Sequence, residues 1–345
     1  MELMVALVIG LFGVLIMVQV YSLAENNKRT SSSGNDAMNE GISNLYALQR
    51  DVSMGGFGIA DTKLLGCNTV LRSGVTLVAM APVTINHPSI PAGDANTDTV
   101  LIVSAYSNGS TQGDSITASA GSDQYTVNTP ASFSVNDWVI PTPLVRTCSG
   151  TASSLTPALA LTQIAATTST SVSVTSGTGT VLPSYLSPYP TLFNLGPKPP
   201  KVIAYAVRSG NLTVCDYIAN DCSIAANVAN ASIWVPVGSN IVSLRAQYGR
   251  DSTAGNMDGV VDVYDQTQPA SACDWARVSA IRIALVSRSV QPAAGVTSTA
   301  PVWDGSSTNP ISLSGNAAWQ NYRYRVFQTL VPLRNIAWMM PVAGC

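Results

Sequence analysis

The amino-acid sequence predicts an α+β fold. In this fold a long N-terminal α-helix, apolar in its first half and amphipathic in its second, precedes a β-rich, disulfide-bonded globular region. Three observations lead to the prediction. Residues 3–24 contain no charged side chain. After residue 67 the pattern changes to short runs rich in β-branched residues. The chain also has six cysteines and only 10% charged residues, which is typical of proteins outside the cytoplasm.

The N-terminal helix is the strongest local signal. The 22 uncharged residues at 3–24 are enough, at about 1.5 Å per residue, to cross the ~30 Å hydrocarbon core of a membrane. They differ from an ordinary signal peptide, because they have no basic flank and because the chain continues into a further helical pattern. Further on, apolar residues recur at intervals of three and four, which predicts one helix face made of Met38, Ile42, Leu45, Leu48 and Val52. The glycine-rich segment 55–58 is expected to end the helix.

The rest of the chain predicts strands joined by polar loops. The expected strands are residues 99–103, 170–175, 201–207, 281–285 and 322–326. A stretch with six prolines, 183–200, is expected to link a middle insert to the C-terminal part. The chain is therefore divided into an N-terminal helix at 1–57, a β-rich region with an insert at 58–200, and a C-terminal β-rich region at 201–345.

The cysteines predict disulfide bonds. They are Cys67, Cys148, Cys215, Cys222, Cys273 and Cys345. Cys215 and Cys222 flank a short polar turn and are expected to pair with each other. Cys67–Cys148 and Cys273–Cys345 are the simplest remaining pairs, although six cysteines allow many connectivities. The alternative is that the cysteines are buried free thiols.

Residues 254–265 have a composition typical of a calcium-binding loop. Side chains with oxygen atoms stand at the third, fifth, ninth and twelfth positions, and a glycine stands at the sixth. The first position is Ala254 where an aspartate is expected, so Asp251 would have to replace it. The ligands would then be Asp251, Asn256, Asp258, Asp262 and Asp265. The alternative is a turn between strands, which Asp, Asn and Gly favour without any metal.

Composition and motifs argue against several functional classes. The net charge of −2 excludes a nucleic-acid-binding protein that relies on overall basic charge. His87 is the single histidine, and no nucleophile motif accompanies it. The sequence also has no phosphate-binding loop and no dinucleotide-binding fingerprint followed by a helix. We therefore expect no enzymatic activity, and no cofactor apart from the calcium considered above.

Several segments resemble the type IV pilins and pseudopilins of bacteria. The first is the apolar opening at residues 2–11, Glu-Leu-Met-Val-Ala-Leu-Val-Ile-Gly-Leu. A narrower resemblance to the PilW-like minor pilins extends over residues 45–67, 241–249, 275–288 and 322–335. The resemblance implies a pilin-like fold, whereas the middle of the chain matches only the general pattern of extracellular β-rich sequences.

The resemblance gives Glu2 a role. In this family a glutamate at the head of the helix is thought to pair with the N-terminal amine of a neighbouring subunit and to set the axial register. A lone carboxylate in hydrocarbon is costly and needs such a partner. The alternative is that Glu2 lies among lipid headgroups and favours the helix N-terminus. Processing by a prepilin peptidase is also implied, but its motif is not visible because only Met1 precedes Glu2.

The sequence thus predicts a structural subunit of an extracellular type IV pilus-like filament, assembled through its apolar N-terminal helix. The expected partners are further copies of the chain or other pilins and, by resemblance, the inner-membrane pilus assembly machinery. The expected location is the inner membrane before assembly, and then the extracellular pilus or cell surface of a bacterium. Two alternatives stay open: a minor pilin that primes or caps assembly, and a surface adhesin that the helix anchors.

Overall fold

A computed structural model of the chain describes residues 2–107, 109–120, 123–142, 159–175, 191–293, 297–315, 318–337 and 345. Its helices are α1 (Glu2–Met54), α2 (Ala272–Ala276) and α3 (Arg334–Ala337). Its strands are β1 (Cys67–Arg72), β2 (Val75–Met80), β3 (Val83–Ile85), β4 (Val100–Ser104), β5 (Asp114–Ala120), β6 (Gln124–Val127), β7 (Trp138–Thr142), β8 (Leu159–Ala160), β9 (Thr162–Thr167), β10 (Ser171–Thr175), β11 (Thr191–Gly196), β12 (Lys201–Arg208), β13 (Asn211–Asp216), β14 (Val235–Gly238), β15 (Ile241–Arg250), β16 (Val263–Asp265), β17 (Val278–Arg288) and β18 (Tyr324–Pro332). The predicted fold class, a long helix followed by a β-rich, disulfide-bonded region, is confirmed.

Helix α1 is 53 residues long and has two different halves. Its first part, Glu2–Ser22, has none of its apolar window buried within the chain. Its second part packs on the β-rich region. The helix ends at the predicted glycines, because Gly56 and Gly58 adopt positive φ angles of 84° and 73°, which glycine tolerates best.

The buried face of α1 differs in part from the predicted one. Leu48 and Val52 of the predicted apolar face are fully buried, and Leu45 is partly buried against the same core. Met38 and Ile42 are instead 47% and 48% exposed. The predicted apolar face is therefore buried within the chain at its C-terminal end and exposed at Met38 and Ile42.

A close approach between α1 and β18 explains this difference. Ala37 and Gly41 are the buried residues in this turn of the helix. A Cβ atom on Gly41 would lie only 2.1 Å from the ring of Phe327 on β18. The helix thus meets the strand through small residues, since a bulky side chain would separate the two backbones. Met38 and Ile42, which follow Ala37 and Gly41 in the sequence, are exposed on the flank of the helix next to this contact.

Two antiparallel sheets support the helix. One has the strand order β16-β15-β17-β18 and the other the order β14-β13-β12-β4-β3. Helix α1 contacts β17 and β18 of the first sheet and β14 and β4 of the second. The largest core cluster joins Leu48 and Val52 of the helix to Leu244 and Ile283 of the first sheet and Val207 of the second. Burial of this apolar surface, at roughly 25 cal/mol per Å², favours the docked position of the helix.

A closed six-stranded barrel with the order β10-β6-β5-β11-β7-β9 forms a further unit, and β2, β1 and β8 form a small third sheet. The chain builds the barrel between β4 and β12, which are antiparallel neighbours in the five-stranded sheet. The barrel is therefore an insertion between two paired strands. Its core cluster includes Tyr125, Val139 and Leu192. The five-stranded sheet uses strands from both sides of residue 200, and the domain boundary at that position stays a prediction.

The predicted strands correspond to observed ones. Residues 99–103 match β4, 170–175 match β10 and 201–207 match β12, while 281–285 lie within β17 and 322–326 overlap the start of β18. The turn between β12 and β13 consists of Ser209 and Gly210, with φ angles of 51° and 71°. Two positive φ angles are typical of the tight turn that matches the twist of a hairpin.

Candidate functional site

The exposed apolar part of α1 is the principal candidate for a functional surface. Residues Glu2–Ser22 form a 21-residue segment that is long and apolar enough to cross a membrane. Leu7, Leu11, Ile16 and Met17 are among its exposed side chains. Soluble monomers rarely expose an apolar patch of this extent. Lipid or other apolar helices are therefore needed to cover the segment.

Glu2 lies in the first turn of this segment, and its side chain is exposed. The position is favourable for a carboxylate, since the N-terminal end of a helix carries partial positive charge. Its exposed carboxylate is also accessible to a group from outside the chain. The role of Glu2 in setting the register of a filament stays a prediction.

Asp51 attaches the second half of α1 to the five-stranded sheet. One carboxylate oxygen accepts a hydrogen bond from the Tyr205 hydroxyl at 2.8 Å. The other lies 2.9 Å from the Lys201 ammonium group. Burial raises the pKa of Tyr205 far above its ordinary value, and the neighbouring Asp51 carboxylate raises it further. The phenol therefore stays a hydrogen-bond donor at any physiological pH.

Two further contacts hold α1 near its middle and at its end. The Ser33 hydroxyl accepts a hydrogen bond from the backbone N–H of Val290 at 2.9 Å. The Asn335 side-chain amide, on α3, donates to the carbonyls of Met54 and Gly55 at 3.3 and 3.0 Å. Together with Asp51, these contacts fix the direction in which the apolar half of the helix projects.

A further apolar stripe lies on α1, C-terminal to the projecting segment Glu2–Ser22. It consists of Met38, Ile42 and Tyr46, and Tyr46 is 68% exposed. Positions four residues apart lie on one face of a helix. The stripe is available for contact with another helix outside this chain. The sequence predicts Met38 and Ile42 on one apolar face of the helix, and Tyr46 continues the same spacing of four residues.

The acidic loop after β15 is organised around Asp251. This side chain is buried and accepts hydrogen bonds from the backbone N–H groups of Asp258 and Gly259 at 2.7 and 2.8 Å and of Thr253 at 3.0 Å. Its carboxylate also lies 3.5 Å from Arg277. Burial alone would raise the pKa of Asp251, but the hydrogen bonds from the backbone outweigh it and lower the pKa.

The other predicted calcium ligands have separate partners. Asp265 forms an ion pair with Arg250, and Asp262 accepts a hydrogen bond from the Ser252 N–H at 2.8 Å. Asp258 accepts from the Val260 N–H at 2.8 Å, and Asn256 is exposed. Within the described ranges, no three His, Cys, Asp or Glu side chains are grouped so that they could hold a metal. The loop thus has the geometry of a turn that its own N–H groups and arginines stabilise.

Two of the expected disulfide bonds are present, Cys215–Cys222 and Cys273–Cys345. Cys67 is also disulfide-bonded. Its expected partner, Cys148, lies outside the described residues. The Cys273–Cys345 bond joins the last residue of the chain to α2, and Arg277 donates a hydrogen bond to the Cys345 carbonyl.

His87 has a structural position. It is buried, its Nδ1 accepts a hydrogen bond from the Ser89 N–H at 3.1 Å, and its Nε2 lies 2.7 Å from the Val78 carbonyl. Since Nδ1 accepts, the proton is on Nε2 and the ring is neutral. Burial lowers the pKa of His87, which maintains the neutral form. Both ring nitrogens bond to the backbone, so neither is free to act as a catalytic base.

The C-terminal part of the sequence is similar to one family of pilus proteins. The family described as "Type IV Pilus-assembly protein W" matches residues 215–335. This range contains all three C-terminal segments on which the resemblance rests, and the resemblance to PilW-like type IV pilins is thereby confirmed. Among solved structures, the type IV-like pilin TTHA1219 from Thermus thermophilus is 10% identical, with 91% of this chain and 96% of that chain covered and a TM-score of 0.30. No protein with a curated description matches the chain.

Proposed function

We propose that this chain is a structural subunit of an extracellular type IV pilus-like filament and assembles through the apolar half of α1. The observation that carries the proposal is the projecting segment Glu2–Ser22, which is apolar and has none of its window buried within the chain. The docked half of the same helix holds this segment in a defined direction. The match of residues 215–335 to a pilus-assembly family supports a pilus-related, structural role rather than an enzymatic one.

The proposal assigns the helix two successive environments. Before assembly, Glu2–Ser22 lies in the inner membrane, where lipid covers its apolar side chains. In the filament, helices of further copies or of other pilins replace the lipid, and the β-rich region faces outward. The pilus assembly machinery and a prepilin peptidase are the partners that act between these two states.

A charge placed in the middle of the segment tests the proposal. Leu11→Arg introduces a guanidinium that costs about 3 kcal/mol in an apolar environment. The matched control is Val302→Arg, because Val302 is also a largely exposed apolar residue, in the β-rich region. The amount of the chain in filaments sheared from cells is measured by immunoblot. We expect at least a tenfold loss for Leu11→Arg and no change for Val302→Arg. Equal incorporation of both variants would contradict the proposal.

The role of Glu2 is tested with the same assay. Glu2→Ala removes the carboxylate at the head of the helix, whereas Asp36→Ala removes an exposed carboxylate from its docked half. If Glu2 pairs with a neighbouring subunit, only the first change lowers incorporation, while the β-rich region stays folded in both. Wild-type incorporation of Glu2→Ala would exclude the register role.

A minor pilin that primes or caps the filament is the second candidate, since the matched family is described as an assembly protein. The two roles differ in stoichiometry. A structural subunit is a main component along the whole filament, whereas a priming or capping pilin is present in a few copies at one end. Quantitative peptide counting in sheared filaments separates the two.

A further inference from the structure

A cleft of about 370 Å³ opens between the β12–β13 turn, the end of β17 and the start of β18. Its size lies within the range of about 300–1,000 Å³ that is typical of small-molecule sites. The residues that matter for its chemistry are Ser209 and Gly210 of the turn, Arg288, Trp319 and Tyr324. None of the described residues that line the cleft belongs to α1, on which the assembly role proposed above depends.

One wall of the cleft is held in place by side chains of a neighbouring loop. The carboxylate of Asp94, which also lines the cleft, accepts hydrogen bonds from the N–H groups of Ser209 and Gly210 at 2.9 and 2.7 Å. The Arg208 guanidinium donates to the carbonyls of Pro91 and Ala92, both at 2.8 Å. A wall fixed in this way loses little conformational entropy when a ligand binds.

Arg288 supplies a cationic group with unused hydrogen-bonding capacity. Its guanidinium stacks on the ring of Tyr322, 4.5 Å from the ring centroid. Within the described part of the chain, its side chain forms one hydrogen bond, to the Asn240 side-chain oxygen at 3.4 Å, and no ion pair. Its Nε is buried without a hydrogen-bond partner among the described residues, so the terminal N–H groups are the donors that can reach a ligand, and such groups suit a carboxylate or a phosphate. The ligand group that suits this end of the cleft is therefore an anion, and a carboxylate is the smaller of the two.

Aromatic rings supply a second kind of surface. Trp319 and Tyr324 both line the cleft, and their ring centroids are 6.4 Å apart. The Tyr324 hydroxyl donates a hydrogen bond to the Trp319 carbonyl at 2.7 Å, which fixes the tyrosine ring. A sugar ring has an apolar C–H face that packs on such rings, and hydroxyl groups at its rim. Asp94 and the Ser209 hydroxyl offer oxygen atoms to those hydroxyls.

We propose that this cleft binds a hexuronic acid unit of a polysaccharide. Its carboxylate pairs with Arg288, its ring packs on Trp319 or Tyr324, and its hydroxyl groups bond to Asp94 and Ser209. The combination of groups distinguishes this ligand from its simpler relatives. A neutral hexose lacks a partner for Arg288, and a simple carboxylate lacks the ring and the hydroxyl groups.

Saturation-transfer NMR and calorimetry on the full chain in detergent micelles test the proposal. The probes are D-glucuronate and D-galacturonate, with D-glucose and acetate at the same ionic strength as comparisons. We expect saturable binding of at least one hexuronate, at least tenfold tighter than that of glucose or acetate. The absence of saturable hexuronate binding would overturn the proposal. Acetate binding equal to that of the hexuronates would overturn the sugar assignment and leave a plain anion site.

Variants on one strand provide the matched control. Arg282, also on β17, stacks on Tyr264 at 3.8 Å and does not line the cleft. Arg288→Gln is expected to weaken hexuronate binding about tenfold, whereas Arg282→Gln leaves it unchanged. Trp319→Ala removes a half-buried ring and serves as the second test if Arg288→Gln does not fold. Hexuronate binding that survives both changes in the cleft would overturn the assignment.

Discussion

The carboxylate of Asp51 on α1 accepts a hydrogen bond of 2.8 Å from the hydroxyl of Tyr205 on β12, the central strand of the five-stranded sheet. The same carboxylate lies 2.9 Å from the ammonium group of Lys201. One residue of the helix thus joins it to a strand about 150 positions later in the chain. The direction of the projecting apolar segment depends on this attachment.

The first prediction concerns this attachment. Asp51→Ala leaves the Tyr205 hydroxyl without its acceptor, so we expect the free energy of unfolding to fall by about 2–3 kcal/mol. Arg50→Ala is the control, because Arg50 lies 3.8 Å from the same carboxylate but is 68% exposed. We expect that change to cost less than about 0.5 kcal/mol. Urea unfolding of the full chain in detergent measures both values, and equal losses would contradict the role of Asp51.

The second prediction concerns the contact between α1 and β18. Gly41→Ala places a Cβ atom against the Phe327 ring, and we expect a loss of about 1–3 kcal/mol as the helix or the ring shifts. Gly34→Ala is the matched control in the same helix, since a Cβ atom there has no neighbour within 4 Å. That change should stabilise the helix by up to about 1 kcal/mol. Thermal unfolding measures the stability of both variants. An equal gain in stability for both would show that the helix and the Phe327 ring are not in close contact at Gly41.

Local patterns in the sequence predicted the long helix and its end, because an uncharged run and a glycine cluster act through nearby residues. They did not predict which flank of the helix is buried. The spacing of apolar residues places Met38 and Ile42 on one face with Leu48. Which residues of the helix are buried depends on the strand that packs against it. Here the residue that packs against the helix is Phe327, almost 300 residues away, and its ring contacts Gly41, whereas Met38 and Ile42 are exposed.

The candidate sites show the same limit. The Asp, Asn and Gly residues of the acidic loop suit both a calcium site and a turn. The Asp251 carboxylate points towards backbone N–H groups, which the sequence pattern does not predict and which favours the turn. The role of Asp51 depends on Lys201 and Tyr205, and the cleft at Arg288 is assembled from separate segments of the chain. A local sequence motif does not predict contacts between residues that are far apart in the chain.

The third prediction uses the single histidine. Because burial lowers the pKa of His87 below its ordinary value of 6.5, the folded chain binds fewer protons than the unfolded chain just below that pH. The stability contributed by the neutral ring is therefore complete above pH 6.5 and falls as the pH decreases, with a slope of at most about 1.4 kcal/mol per pH unit. Urea unfolding between pH 7.5 and 5.5 measures this slope. His87→Gln should flatten it, and an unchanged slope would assign the effect to other groups.

The fourth prediction separates a turn from a calcium site. Asp251→Ala removes the acceptor of three backbone N–H groups, so we expect a loss of about 2–3 kcal/mol with or without calcium. Asp258→Ala removes an exposed carboxylate that bonds only locally, and it should cost less than about 1 kcal/mol. Melting temperatures are measured with calcium and with a chelator, and we expect no difference. A calcium-dependent rise that Asp258→Ala abolishes would instead show that the loop binds the ion.

The proposed function places the apolar half of α1 in the core of a filament. A cryo-electron microscopy reconstruction of the filaments at side-chain resolution tests this placement. We expect this chain along the whole filament, with residues 2–22 near the axis against the helices of neighbouring subunits and with Met38 and Ile42 covered by them. Filaments without this chain, or a helix that touches no neighbouring subunit, would rule out the proposed function.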